Sequence, residues 1–559
     1  MRKDLTASQN DYATFLPALS GFYATYVGKQ RFDEYVDKAR IPSNFANGVE
    51  SLNYLNKNEG QFTYKWTLYS AGHADLDTTK VVPKEDMVRN RDRENTWLLG
   101  DSGGFQIGKG VWEGEWKDPT SQFVKDKMAD CVARGTEERV VTTTDKNGKE
   151  VTKTVTVDLV KEYQSRLDMA QKKRDAVLRW MDAYADYGMI LDIPAWVSRS
   201  PAGALATGIS EYQDAVEATK YNNEYWMKHR TGACKFLNVL QGENHADADD
   251  WYEQMKDYCD PKVYPDNHFN GWGMGGQNMC DVHLVLKRLV ALIYDDLLQT
   301  GVHDVMHFLG TSKLEWATLL TDIQRAVRKY HNPNFMITFD CASPFLATAN
   351  GQIYIQTETE DRSKWVYRMV PSIDDKKYAT DTRLFRDAVL QDGIFKNFTD
   401  SPITAELKVN DICHYAPGML NKIGKEGKTS WDSFSYAIQM GHNVWSHINA
   451  VQEANRQYDA GILPKMLVQE QFDRLLFRDI VEAIFAANGR EEANAIIEYY
   501  SRFWMTIPGT RGAVGKKTVN SSTYFGNLFE EVDADPVITD AEDLDETKLE
   551  DLEDEQLYR

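Results

Sequence analysis

Gly100-Asp101-Ser102-Gly103-Gly104 offers two chemistries within one short turn. In the first, Ser102 attacks, and it needs a histidine as base, a carboxylate to orient that base and an oxyanion hole. In the second, Asp101 works as an acid and base alongside another carboxylate elsewhere in the chain. His73, in Ser70-Ala71-Gly72-His73, is the only histidine before Asp101, and the stretch runs on into Phe105-Gln106 after an apolar segment. A five-letter, glycine-rich match arises readily by chance. The carboxylate reading is preferred.

Asp101 is one of several polar or glycine residues that close an apolar, β-rich run. Thr96–Gly100 precedes Asp101, Tyr187–Leu191 precedes Asp192, and Lys235–Leu240 precedes Gln241. Trp272-Gly273-Met274 precedes Gly275-Gly276, Asp304–Leu309 precedes Gly310, and Met336–Phe339 precedes Asp340. From Asp192 onward the spacings are 49, 34, 35 and 30 residues, the length of a strand, a helix and two loops. Lys161–Tyr187, Asp281–Thr300 and Leu314–Tyr330 carry apolar residues at helical spacing. Such alternation predicts βα units with a parallel sheet. A row of polar residues at successive strand ends is the active-site face of a (β/α)8 barrel. A doubly wound open sheet is the alternative, but its residues converge at one switch point only.

The expected organisation is a helical or irregular segment over 1–60, a barrel over 61–400 with an insertion at about 112–160, a helical region over 401–529, and a disordered acidic tail over 530–559. Within the insertion, Val140–Thr152 alternates around Asn147-Gly148 and predicts a β-hairpin. Phe434–Asp459 and Leu467–Trp504 are the strongest helical segments of the C-terminal region.

Charged residues make up 27% and hydrophobic ones 42% of the 559, as in an ordinary globular protein. Of the formal charge of −21, the stretch from Glu530 to Arg559 carries −12, from 14 acidic and 2 basic residues, leaving −9 for the rest. Net acidity therefore does not exclude a nucleic-acid substrate, but it requires a local basic patch. Six cysteines without disulfide-like spacing, no apolar run of bilayer length and an N-terminus without an apolar core predict a cytoplasmic protein with no membrane association.

Asp101-Ser102-Gly103-Gly104-Phe105-Gln106 resembles the first catalytic motif of the guanine transglycosylases, and five further segments resemble that family in the same order. They are Leu191-Asp192-Ile193-Pro194, Asn238–Gly242, Gly271–Gly276, Phe308-Leu309-Gly310, and Thr338–Pro344 followed by Asn350-Gly351. The six span about residues 66–355. The resemblance implies a retaining base exchange with two carboxylates, one forming a covalent sugar–enzyme intermediate and one moving the proton. It makes Asp340 the nucleophile and Asp101 the general acid and base. It places Asp192 opposite the N1 and N2 hydrogens of guanine, and Gln241 and the Gly276 N–H opposite O6, with Gly275 beside them. Adenine presents the reversed pattern and leaves buried groups unpaired, at roughly 1–3 kcal/mol each. Ser102, Gly103, Phe105 and Gln106 would shape the purine pocket. Against these roles stand plainer ones: a strand-end Asp such as Asp192 often caps the next helix, and Phe105 reads more as a packing residue than a stacking one.

The chain also departs from the family. Where the tRNA-guanine transglycosylases carry a cysteine-rich zinc site, it has Asp411-Ile412-Cys413-His414-Tyr415-Ala416, with His442 26 residues beyond Ala416. No cofactor is required for the chemistry, and zinc is not expected in so degenerate a cluster; Trp431, Phe434 and Trp445 are the apolar alternative for holding these helices. The arginines that follow the nucleophile in the family are replaced by Phe345–Ala349. Lys146 and Lys149 in the hairpin, and Arg511, Lys516 and Lys517 after an aromatic stretch (Tyr499, Tyr500, Arg502, Phe503, Trp504), are candidate nucleic-acid contacts. This pattern is most similar to the phage branch of the family, which inserts 7-deazaguanines such as preQ0 into DNA. The expected partners are then duplex DNA with the target base flipped out, the incoming deazaguanine base, and a second copy of the chain as a homodimer. A tRNA substrate, or a non-catalytic nucleic-acid-binding partner subunit, are the alternatives.

Overall fold

The computed structural model describes residues 1–29, 38–144, 150–414, 429–469 and 475–509. Eight short strands form one parallel sheet: β1 (Thr14–Pro17), β2 (Trp66–Ser70), β3 (Trp97–Asp101), β4 (Tyr187–Met189), β5 (Lys235–Leu240), β6 (Gly271–Met274), β7 (Val305–Phe308) and β8 (Met336–Cys341). From β2 to β8 each strand pairs with its sequence neighbour, and β1 pairs with β8 from Thr14↔Thr338 to Pro17↔Cys341. β1 and β2 meet through a single bridge, Ala18↔Leu68, with the Leu19 N–H donating to the Leu68 carbonyl at 2.9 Å. The result is a nearly closed eight-stranded parallel barrel with helices around it.

Strands β1 and β2 were not among the six runs legible in the sequence. Thr14-Phe15-Leu16-Pro17 is four residues long and lies inside the stretch expected to be helical or irregular. It is a strand because Phe15 and Leu16 are fully buried between the barrel and the outer helices, and β8 supplies its hydrogen-bonding edge.

Helices Leu159–Tyr184, Val282–Tyr294 and Leu314–Tyr330 return the chain to the start of the next strand. Asp158, Asn244 and Asp281 cap the helices that follow them by accepting backbone N–H groups of the first turn. Between β3 and β4, helix Gln122–Arg134 and the antiparallel strands Thr136–Thr144 and Glu150–Asp158 pack on the start of Leu159–Tyr184. Val124, Cys131, Leu159 and Tyr163 form a small apolar cluster there, separate from the main core.

Beyond the barrel, helix Ser433–Asp459 lies against Leu314–Tyr330, Ser343–Ala349 and the antiparallel pair Gln352–Glu358/Val366–Pro371. Its N-terminus is held by Arg40, whose guanidinium donates to both Asp432 oxygens at 2.7 and 2.9 Å in a buried pair. The helical segment expected over Leu467–Trp504 holds three helices among its described residues. Phe477–Phe485, Arg490–Tyr499 and Ser501–Trp504 are separate helices, the first two divided at Asn488-Gly489, where an extended glycine leaves the helical backbone. Among the described residues, no helix is long and apolar enough to cross a membrane.

Candidate active site at the carboxyl ends of the strands

Parallel strands in register send every strand end to one face of the barrel. Ser70 closes β2 and Asp101 closes β3, as register partners. Asp192 follows β4, Gln241 follows β5, Gly275 follows β6, Gly310 follows β7, and Asp340 is the penultimate residue of β8. The structure thus brings these strand-end residues to one mouth.

The two catalytic candidates sit in different environments. Asp101 accepts a hydrogen bond from the Ser70 hydroxyl at 2.6 Å on Oδ2, with the Gly103 N–H at 3.5 Å from Oδ1. Withdrawal from water raises its pKa; the Ser70 hydrogen bond opposes the rise and the charge of Asp340 adds to it. A carboxyl group so placed is biased to hold a proton, as an acid requires. Asp340 instead receives two donors on one oxygen: the Gly310 N–H at 2.9 Å and His307 Nε2 at 3.1 Å, both to Oδ1. Oδ2 takes no hydrogen bond among the described residues.

Asp192 is buried, and its Oδ2 accepts from Gln241 Nε2 at 2.7 Å. It caps no helix: the next turn, Ala195–Arg199, follows Pro194. Burial pushes its pKa up to about 7; the Gln241 hydrogen bond resists this and the Asp101 charge promotes it. Gln241, expected opposite a purine oxygen, directs its amide N–H to Asp192 in this structure. Its amide also lies against Gly275, where a Cβ would come within 2.9 Å of Nε2. Gly276, in the left-handed region at φ +54°, starts the short turn Gly276–Met279, and Asn278 Nδ2 ties that turn to the Gln241 carbonyl at 3.0 Å.

The Asp101–Gln106 turn packs directly on this pair. A Cβ on Gly104 would lie 2.8 Å from the Asp192 carbonyl oxygen, so the glycine permits the contact. Gly103 has φ +82°, and a Cβ there would meet the Trp112 ring at 2.5 Å. Gly103→Ala is expected to destabilise the fold by about 1–3 kcal/mol, the cost of a left-handed non-glycine residue, read as a lower denaturation midpoint. Ser102 is buried; Gln106 fills the space between Gly72 and Gly103. Phe105 corrects the packing expectation. It is 47% exposed at the rim, edge-on to Trp196 with a centroid separation of 6.2 Å, and Lys109 Nζ lies 4.6 Å from its ring centroid.

In sequence, the chain matches no family model and no curated protein.

The remaining sequence candidates fall elsewhere. Lys146, Lys149, Arg511, Lys516 and Lys517 lie outside the described residues, as do the Asn-Gly turn of the hairpin and the acidic tail. Phe503 and Trp504 are core residues, whereas Tyr499 is exposed. The zinc frame does not assemble: Asp411 accepts the Lys408 N–H, Cys413 Sγ lies against the Ile373 carbonyl, and His442 is shared between Ser401 Oγ and the Tyr354 carbonyl, each at 2.8 Å. Burial pushes the His442 pKa down to about 4. No group of three or more His, Cys, Asp or Glu able to hold a metal occurs among the described residues. The Val409–Ile412 turn is instead tied to the long helix by the Ser435 hydroxyl, which donates to the Ile412 carbonyl at 2.6 Å. With these partners, Asp411, Cys413 and His442 do not fit a metal.

Ser70, His307 and Thr338 were not singled out from the sequence. His307 and Thr338 are polar residues inside apolar strands and Ser70 is the polar end of one, and that is the one signal each carries.

Proposed function

We propose that the chain is a guanine transglycosylase that exchanges guanine in DNA for a 7-deazaguanine such as preQ0. The observation that supports this best is the convergence of two carboxyl groups in different environments, Asp101 buried with its pKa raised and Asp340 held by donors on one oxygen, beside the buried Asp192–Gln241 pair.

The reaction has two halves. An Asp340 oxygen attacks C1′ and the C1′–N9 bond breaks, leaving its electron pair on the purine; Asp101 protonates the departing guanine. The incoming base then gives its N9 proton to the Asp101 carboxylate, attacks C1′ and displaces Asp340. Two inversions retain the anomeric configuration. Asp192 and Gln241 orient the base edge, with the carboxylate accepting from N1–H and the 2-amino group.

Guanine recognition in this scheme requires ionised Asp192. Because its pKa is raised to about 7, the carboxyl is protonated below that pH and offers one fewer acceptor. Guanine affinity should rise with pH through 7, falling about tenfold for each unit below it. Titration calorimetry with guanine between pH 5.5 and 8 measures this; an affinity flat across that window removes Asp192 from the base edge.

DNA is preferred over tRNA because the arginines associated with the anticodon loop are absent. Their replacements Phe345, Leu346, Ala347 and Thr348 are buried in helix Ser343–Ala349, so this helix presents no such contacts. Incubation with labelled preQ0 or guanine and with DNA and tRNA separately tests the reading. Label in DNA is expected; label in tRNA alone would sink the DNA assignment, and label in neither would sink base exchange.

A further inference from the structure

His307 takes no part in the reaction as written, yet it is fully buried in the barrel interior against the nucleophile. Parallel pairing sets His307 beside Thr338. Alternation along β8 turns Thr338 and Asp340 to the same side. The imidazole is held at both nitrogens: Nδ1 is 2.9 Å from Thr338 Oγ1 and Nε2 is 3.1 Å from Asp340 Oδ1.

A carboxylate oxygen only accepts, so the hydrogen in the second contact belongs to Nε2. In the neutral ring Nδ1 is then the acceptor, and the Thr338 hydroxyl, itself fully buried, supplies the donor that selects this tautomer. Oδ1 also accepts the Gly310 N–H at 2.9 Å. Two donors converge on one oxygen of the carboxylate, and the other oxygen takes none among the described residues.

We propose that His307 is a positioning residue for the nucleophile: with the Gly310 N–H it fixes Asp340 Oδ1 and leaves Oδ2 as the oxygen that attacks the sugar, while Thr338 sets the tautomer that makes this possible. The inference rests on the base-exchange reading for the identity of the reaction. The pairing itself does not. Holding the reacting atom within a narrow range of positions is worth about 10²-fold for a displacement of 1 Å.

The test separates the rate of covalent adduct formation in a single turnover from guanine affinity. His307→Leu should slow adduct formation about 10²-fold and leave guanine affinity within about twofold, because Asp192 and Gln241 are untouched. His307→Gln, which retains an N–H donor, should recover most of the rate, and Thr338→Val should slow it less than His307→Leu does. If His307→Leu fails to fold, the Gln and Val variants still decide between positioning and bulk packing. A full rate in a folded His307→Leu, or a loss of affinity that accounts for the slower rate, overturns the proposal. Nitrogen-15 NMR of histidine-labelled protein gives a readout without activity: His307 is expected as the Nε2–H tautomer, with a resonance that shifts in Asp340→Ala. A resonance indifferent to that change overturns the pairing whether or not base exchange is found. If the wild type forms no adduct while this resonance responds, the reaction assignment fails and the pairing stands.

Discussion

Asp340→Asn is expected to abolish the covalent enzyme–nucleic-acid adduct and to lower base exchange by at least about 10⁴-fold, the scale on which removal of a covalent nucleophile acts. The amide keeps the shape of the carboxyl group. Its carbonyl oxygen can still accept the two donors that Oδ1 accepts now, from His307 and the Gly310 N–H. Its nitrogen then stands where Oδ2 stood, without the charge or the lone pair needed to attack C1′. The barrel should therefore fold with an unchanged denaturation midpoint, and guanine should bind as before through Asp192 and Gln241. Denaturing electrophoresis of a reaction with labelled DNA reads the adduct directly. A band that persists in Asp340→Asn would move the nucleophile elsewhere.

Asp101→Asn should lower exchange by about 10²–10⁴-fold, the usual contribution of a general acid and base. The Ser70 hydroxyl now donates to Oδ2 and can donate equally to an amide oxygen, so the local structure is preserved. What disappears is the proton that burial and the neighbouring Asp340 charge favour on this carboxyl group. The two variants differ in a way that assigns the roles. Asp340 remains able to attack in Asp101→Asn, so a nucleic acid carrying an N7-methylated guanine, which leaves as a neutral base without an added proton, should still form the adduct. The same substrate should do nothing for Asp340→Asn. Equal rescue of both variants, or of neither, would reverse or dissolve this division of labour.

Asp101, Asp192, Gln241, Gly275, Gly310 and Asp340 were legible because each ends an apolar run at βα spacing. A parallel barrel obliges such ends to meet on one face, so convergence follows from pattern and topology. β1 was not legible. Thr14–Pro17 is too short to show a period, and it becomes a strand because β8 presents an edge and the surrounding helices exclude water. Along Leu467–Trp504 the apolar spacing continues across Asn488-Gly489 while the helical backbone does not. Phe105 is exposed where its apolar character suggests packing, because residue type does not say which side of a turn faces solvent.

Residue order and spacing by themselves determined an α/β chain, the strand ends that carry polar groups and the resemblance that gives them candidate roles. Tertiary structure decided the relations among those groups. Gln241 is 49 residues from Asp192 and donates to it at 2.7 Å, while Ser70 and Asp101 are joined across neighbouring strands by register. His307 and Thr338 are ordinary strand residues until β7 and β8 pair. Protonation bias, too, belongs to the folded state. Withdrawal from water raises the pKa of both Asp101 and Asp192, and the charges of partners far away in sequence add to it. Residue type supplies a carboxyl group; burial, register and neighbouring donors decide how its proton affinity shifts and which of its oxygens is held.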